Sequence, residues 1–127
     1  MYLEPYNKAS AYPLTIYALE LNNGKFFLDQ THNLNTSLKK HFRYDNLRQS
    51  QPYGRSWTQL WPPVRIHHIY RNSVASDLNK YTLEYMKKYG IENVRGGEYS
   101  STDLSFYQYS ELKKIINRRS SIQVLNI

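Results

Sequence analysis

From Leu14 to Leu21 the chain reads Leu-Thr-Ile-Tyr-Ala-Leu-Glu-Leu, a nearly continuous apolar stretch that predicts a largely buried β-strand. Asn22-Asn23-Gly24 follows as turn chemistry, because Asn and Gly tolerate positive φ. Lys25 to Asp29 is its strand partner, so residues 14–29 form a hairpin. Asn33 or Asn35 caps a helix running to about Tyr44, with Leu34, Leu38 and His41 or Phe42 on one face. Residues 45–63 are rich in polar residues, Gly and Pro, and read as a loop anchored by Trp57 and Trp61. Val64 to Tyr70 is β-like and supplies a third strand. Ser73 is placed to cap a helix from Val74 to Tyr89, with Val74, Leu78, Tyr81 and Tyr85 as its apolar face and Gly90 as its stop. Arg95-Gly96-Gly97 reads as a tight turn, and Ser110 opens a last basic helix through about Arg119. The order is ββαβα plus a C-terminal helix. That predicts an α+β fold, a small three-stranded mixed sheet flanked by helices. An N-terminal arm (1–13) precedes the domain (14–104), and a basic helix and tail (105–127) follow it.

Composition narrows the chemistry. A chain of 127 residues fits one domain. It has no cysteine, which excludes disulfides, Cys-ligated zinc and thiol chemistry and suits a reducing, intracellular compartment. No apolar run approaches the roughly 20 residues of a membrane span, and the N-terminus has no basic start followed by an apolar stretch, so no signal peptide is expected.

A net charge of +7 leaves a positive field that attracts nucleic acid, anionic lipid or acidic proteins. Lys39, Lys40, Arg43, Arg48 and Arg55 are candidates for a basic nucleic-acid-binding face together with Lys113, Lys114, Arg118 and Arg119. A solvated surface is the ordinary use of such charges. Arg95-Gly96-Gly97 is a candidate phosphate grip through backbone N–H groups, against the plainer role of a tight turn. Thirteen tyrosines serve packing, base stacking or protein interfaces. Trp57 and Trp61 beside Pro62-Pro63 plug the core edge more readily than they stack bases. His67 and His68, adjacent in a strand, are expected on opposite faces and so form no two-His metal clamp. His32, His41 and Asp29 fall short of the converging, supported ligand set a metal site needs.

Certain strings are more specific. Ile16-Tyr17, then Asn23-Gly24-Lys25 and Phe26-Phe27-Leu28-Asp29-Gln30-Thr31, resemble the paired strands of the GIY-YIG nuclease superfamily. Trp57-Thr58, Pro63, Lys80-Tyr81-Thr82, Tyr85-Met86, Lys88-Tyr89-Gly90-Ile91 and Asn93-Val94-Arg95-Gly96-Gly97 are similar to small GIY-YIG domain proteins of large DNA viruses of protists and algae. The resemblance covers about residues 14–104.

What the resemblance implies can be checked position by position. In such nucleases two hairpin tyrosines, a helix arginine and a glutamate surround the scissile phosphate. The glutamate holds one divalent cation that acts as a Lewis acid, the arginine offsets developing charge, and a tyrosine acts as base or relay. The first tyrosine corresponds to Tyr17 and the second to Phe27, which lacks the hydroxyl. The glycine closing the motif corresponds to Asp29. His41 matches a subgroup histidine, which puts the arginine position, one helical turn earlier, at Ser37. The glutamate position, four residues before Thr82, is Leu78. Leucine offers no oxygen to a hard cation. Asp77 sits about 100° round the helix, and Glu84 also lies off that face.

The expectation is therefore an inactive nuclease centre with no metal and no cofactor. The resemblance implies a structural or interaction component, binding other proteins such as viral capsid or core proteins, in an intracellular or virion setting. A non-cleaving nucleic-acid-binding module that keeps a DNA groove is the alternative. A divergent active endonuclease is the second, and only that one calls for Mg²⁺ or Mn²⁺, held by Asp29, Asp77 or Glu84.

Overall fold

The computed structural model describes residues 13–44 and 56–125, with side chains except at 43, 44 and 119–125. The expected N-terminal arm, apart from Pro13, and residues 45–55 lie outside it.

The hairpin forms as its pattern predicts. Strand β1 (Leu14–Leu21) turns through Asn22–Gly24 into β2 (Phe26–Thr31), pairing antiparallel with Tyr17 opposite Asp29 and Leu19 opposite Phe27. Strand alternation then divides the core in two. Ile16, Ala18, Phe26 and Leu28 face one side of the sheet, and Tyr17, Leu19 and Leu21 face the other with Trp57. Both faces are covered, which is why β1 reads as a continuous apolar run rather than an alternating one.

Helix α1 (Leu34–Lys39) starts at Asn33, whose side chain accepts from the Thr36 N–H at 3.1 Å, and widens into a π-helical turn, Lys40–Tyr44. Its Leu34 and Leu38 pack on the Tyr17 face. The segment expected as loop contains a short helix, α2 (Trp57–Leu60), closed by a capping box between Ser56 and Gln59. Strand β3 extends further than expected, from Pro63 to Ser73, and lies outside β1, antiparallel to it.

Helix α3 (Ser76–Tyr89) begins later than expected, because Ser73 bonds the Tyr70 carbonyl instead of capping. The Asp77 carboxylate instead closes the turn that leads into the helix, accepting from the Val74 N–H at 3.0 Å. The buried face is Leu78, Thr82, Tyr85 and Met86, while Val74 stands in solvent. Helix α4 (Phe106–Leu125) begins ahead of Ser110, because Ser105 and Gln108 exchange capping bonds. Its Leu112 is fully buried in the α3-side core, so the segment assigned to a separate basic tail shares the domain's core.

Two expectations about strands are corrected. Among the described residues the sheet is mixed but has four strands, in the order β3-β1-β2-β4. The fourth, β4 (Val94–Gly96), runs parallel to β2 where a tight turn was expected. Only three residues long, it is too short to show any alternation. The turn comes one residue later, as Gly96 and Tyr99 exchange backbone hydrogen bonds across Gly97-Glu98. His67 and His68 do not face opposite ways. A register shift in β3 makes Ala18 pair with His68 but Leu19 with Ile66, so His67 is a bulged extra residue. Its ring packs on Phe26, Tyr85 and Tyr89, on the same side as His68 and Tyr70.

Candidate functional site

The hairpin and α1 bring five of the six singled-out positions together. Tyr17 and Asp29 are cross-strand partners, and the π-helical turn swings His41 over them. The Tyr17 hydroxyl lies 3.0 Å from His41 Nε2. The rings of Tyr17 and Phe27 each meet the His41 ring edge-on at 5.7 Å. The Ser37 hydroxyl donates to Thr31 Oγ1 at 2.7 Å.

The electrostatics follow from burial. Tyr17, 2% exposed, has its pKa pushed above the usual phenol range, first by burial and then by the Asp29 carboxylate, against the Ser37 hydroxyl. Burial also raises Asp29, opposed by the Gln30 N–H at 2.8 Å and by Lys40. His41 is lowered by burial and then by Lys40, so its neutral form is favoured. The cluster is thus a neutral phenol hydrogen-bonded to a neutral imidazole beside one reluctant carboxylate. It can hold and orient polar groups. Asp29 is its one anionic group.

Strand β2 runs past its last pairing with β4, Leu28 to Gly96, and continues to Thr31. A cleft of about 470 Å³ opens along the edge beyond that pairing, lined in part by Phe27, Asp29, Trp57, Thr58, Leu78 and Gly97. Leu78, the sixth position, is 7% exposed and forms both cleft wall and core. Among the described residues no three His, Asp or Glu side chains converge as a metal site. The Asp77 carboxylate is engaged at the start of α3, and Glu84 is exposed on that helix.

The basic residues separate. Lys39 at the end of α1 and Lys40 in the π-helical turn are exposed, and α1 packs against the Tyr17 face of the sheet. Lys113, Lys114 and Arg118 are exposed on α4, which packs against the opposite face. Arg48 and Arg55, and the side chains of Arg43 and Arg119, lie outside the described residues. In the Arg95-Gly96-Gly97 string the Arg95 side chain is turned inward rather than to the surface. It is 6% exposed, and its guanidinium donates to the carbonyls of Ile91, Val94, Ser101 and Thr102. It also stacks 4.3 Å from the Trp57 ring centroid. Trp57 is buried and donates from Nε1 to the Phe26 carbonyl at 2.9 Å, which matches the core-edge role.

Two arrangements escaped the sequence. Asn79 clamps the turn beside the cleft, donating to Glu98 Oε2 at 2.8 Å and accepting from the Glu98 N–H at 3.0 Å. The Tyr85 hydroxyl bonds His67 Nδ1 at 2.6 Å, while Tyr70 stacks on Tyr81 at 3.9 Å. The Asn79 clamp joins residues 19 apart in sequence, and neither arrangement shows in local periodicity. Compared with known proteins, the chain matches no protein-family model, no curated protein and no solved structure.

Proposed function

We propose that the chain is a catalytically inactive GIY-YIG-like protein that works by binding, as a structural or interaction component. The large-DNA-virus particle is the setting its sequence resemblance implies. The observation that carries this reading is Leu78. The metal-binding glutamate of the resembled nucleases corresponds to this side chain, which is 7% exposed on the cleft wall and packed into the core. Leucine cannot ligate a hard cation. Phosphoryl chemistry without cation or arginine loses stabilisation worth orders of magnitude in rate. Further support comes from Ser37, at the arginine position, and from Asp29, which adds a negative charge where a phosphate would approach.

The alternative, a non-cleaving nucleic-acid-binding module, draws on the exposed lysines and arginine of α1 and α4. It is the weaker reading, because those helices cover opposite faces of the sheet.

Supercoiled plasmid incubated at low salt with Mg²⁺, Mn²⁺ or EDTA tests both. Half of each sample is deproteinised before electrophoresis. The proposal expects intact plasmid in every lane. Metal-dependent nicked or linear plasmid overturns it. Retarded bands in the untreated half, lost steeply as salt rises, would favour the nucleic-acid-binding module instead.

A further inference from the structure

The cleft that opens along β2 combines one charge with apolar walls. Asp29 is the one charged residue among the described ones that lines it, with Phe27, Trp57 and Leu78 as apolar neighbours and Thr58 nearby. One carboxylate oxygen accepts from the Gln30 N–H at 2.8 Å. Among the described residues Asp29 has no ion-pair partner, the pairs formed being Arg65–Glu20 and Lys114–Glu111. Lys40 acts on it only through the electrostatic field. The guanidinium of Arg95, stacked on Trp57, has its donors turned to four backbone carbonyls.

A partly buried carboxylate is costly to keep ionised, and a complementary charge arriving with its own donors offsets that cost. Arginine has the matching shape. Its planar fork meets a carboxylate through two hydrogen bonds, and its aliphatic stem lies along apolar surface. A phosphate would meet repulsion instead. We propose that this cleft receives an arginine side chain of a partner protein, with the guanidinium on Asp29 and the stem against Phe27, Trp57 and Leu78. The proposal rests on the reading of the chain as an interaction component and names the chemistry of its partner.

The test uses the ¹⁵N-labelled full chain and three probes. These are an acetylated, amidated Ala-Arg-Ala peptide, the same peptide with citrulline for arginine, and deoxyguanosine monophosphate. Citrulline keeps the shape and removes the charge. The expected result is movement of the Asp29, Gln30 and Gly97 amide signals with the arginine peptide alone. Asp29→Asn should weaken that response about tenfold or more, as for loss of a charged hydrogen-bonded pair, while its spectrum stays dispersed. No movement with the arginine peptide overturns the proposal. So does an equal response to citrulline, or an undiminished response in Asp29→Asn. Movement of the same signals by the nucleotide alone also overturns it, and would assign the cleft to a base. Failure here leaves the non-cleaving reading standing, since plasmid nicking alone decides that.

Discussion

Gly97 sits where the turn after β4 meets α3, at φ +54. A Cβ added there would lie 2.0 Å from Asn79 Oδ1 and 3.4 Å from Leu78 Cγ. Gly97→Ala therefore forces the Asn79 side chain aside and breaks its clamp on Glu98. The left-handed backbone costs an L-residue about 1 kcal/mol. The reduced entropy of the unfolded chain offsets ~0.4–1 kcal/mol of that. Displacing the clamp adds about 1 kcal/mol in hydrogen bonding and 1 or more in overpacking. The sum is about 2–3 kcal/mol. Gly24→Ala is the internal control, since Gly24 also has positive φ, +71, but nothing within 4 Å of an added Cβ. It should cost no more than about 0.5 kcal/mol. Equilibrium urea unfolding of both variants, of Asn79→Ala and of the Gly97→Ala/Asn79→Ala pair measures each term. Gly97→Ala should be far more damaging than Gly24→Ala, and much less so once Asn79 is alanine. Equal costs for the two glycines, or additivity in the Asn79 cycle, would refute the reasoning.

Three further outcomes follow from buried charge. Burial raises the Asp29 pKa in the folded state, so its ionisation costs stability as pH rises through and above the ordinary carboxylate range. Asn at this position should raise the melting temperature at pH 7, with the gain fading toward pH ~3, below the usual Asp value; a lower melting temperature at pH 7 would contradict this. His41, lowered by burial, opposes folding once the unfolded chain protonates, so stability should fall as pH drops through ~6.5. His41→Gln should flatten that part of a pH series of melts, and an unchanged slope would count against the assignment. Arg95→Lys keeps the charge but cannot reach four carbonyls, so urea unfolding should show a loss of about 2–4 kcal/mol. A loss under 1 kcal/mol would mean the guanidinium is dispensable.

The parts of the fold that were legible in the sequence are those with a local signature. The hairpin announced itself through an apolar run broken at Asn22-Asn23-Gly24, and α1 through Asn33 ahead of Leu34 and Leu38. Strand β4 was not legible, because three residues held by parallel pairing to β2 carry no pattern of their own. The start of α3 was misplaced because Ser73 and Asp77 compete for one end, and only geometry decides between them. The same division applies to the site. Tyr17, Phe27, Asp29, Ser37 and His41 meet because a hairpin and the helix after it have few ways to pack. Nothing in the string Arg95-Gly96-Gly97 announces the four carbonyls that surround the Arg95 guanidinium. The pair His67-His68 was misjudged for a third reason: strict alternation holds only in a regular strand.

Those irregularities in β3 bear on how the molecule behaves in a crowd. The strand is eleven residues long, forms one border of the sheet among the described residues, and exposes Val64 and Ile66. A straight strand of that kind is a template on which a second chain can grow, the first step toward fibres. Here the pairing to β1 slips at three places, and Arg65 and Arg71 stand exposed along it. The border therefore presents a bent, charged and interrupted row of peptide groups rather than an even one. Such a border disfavours edge-to-edge pairing between copies of the chain.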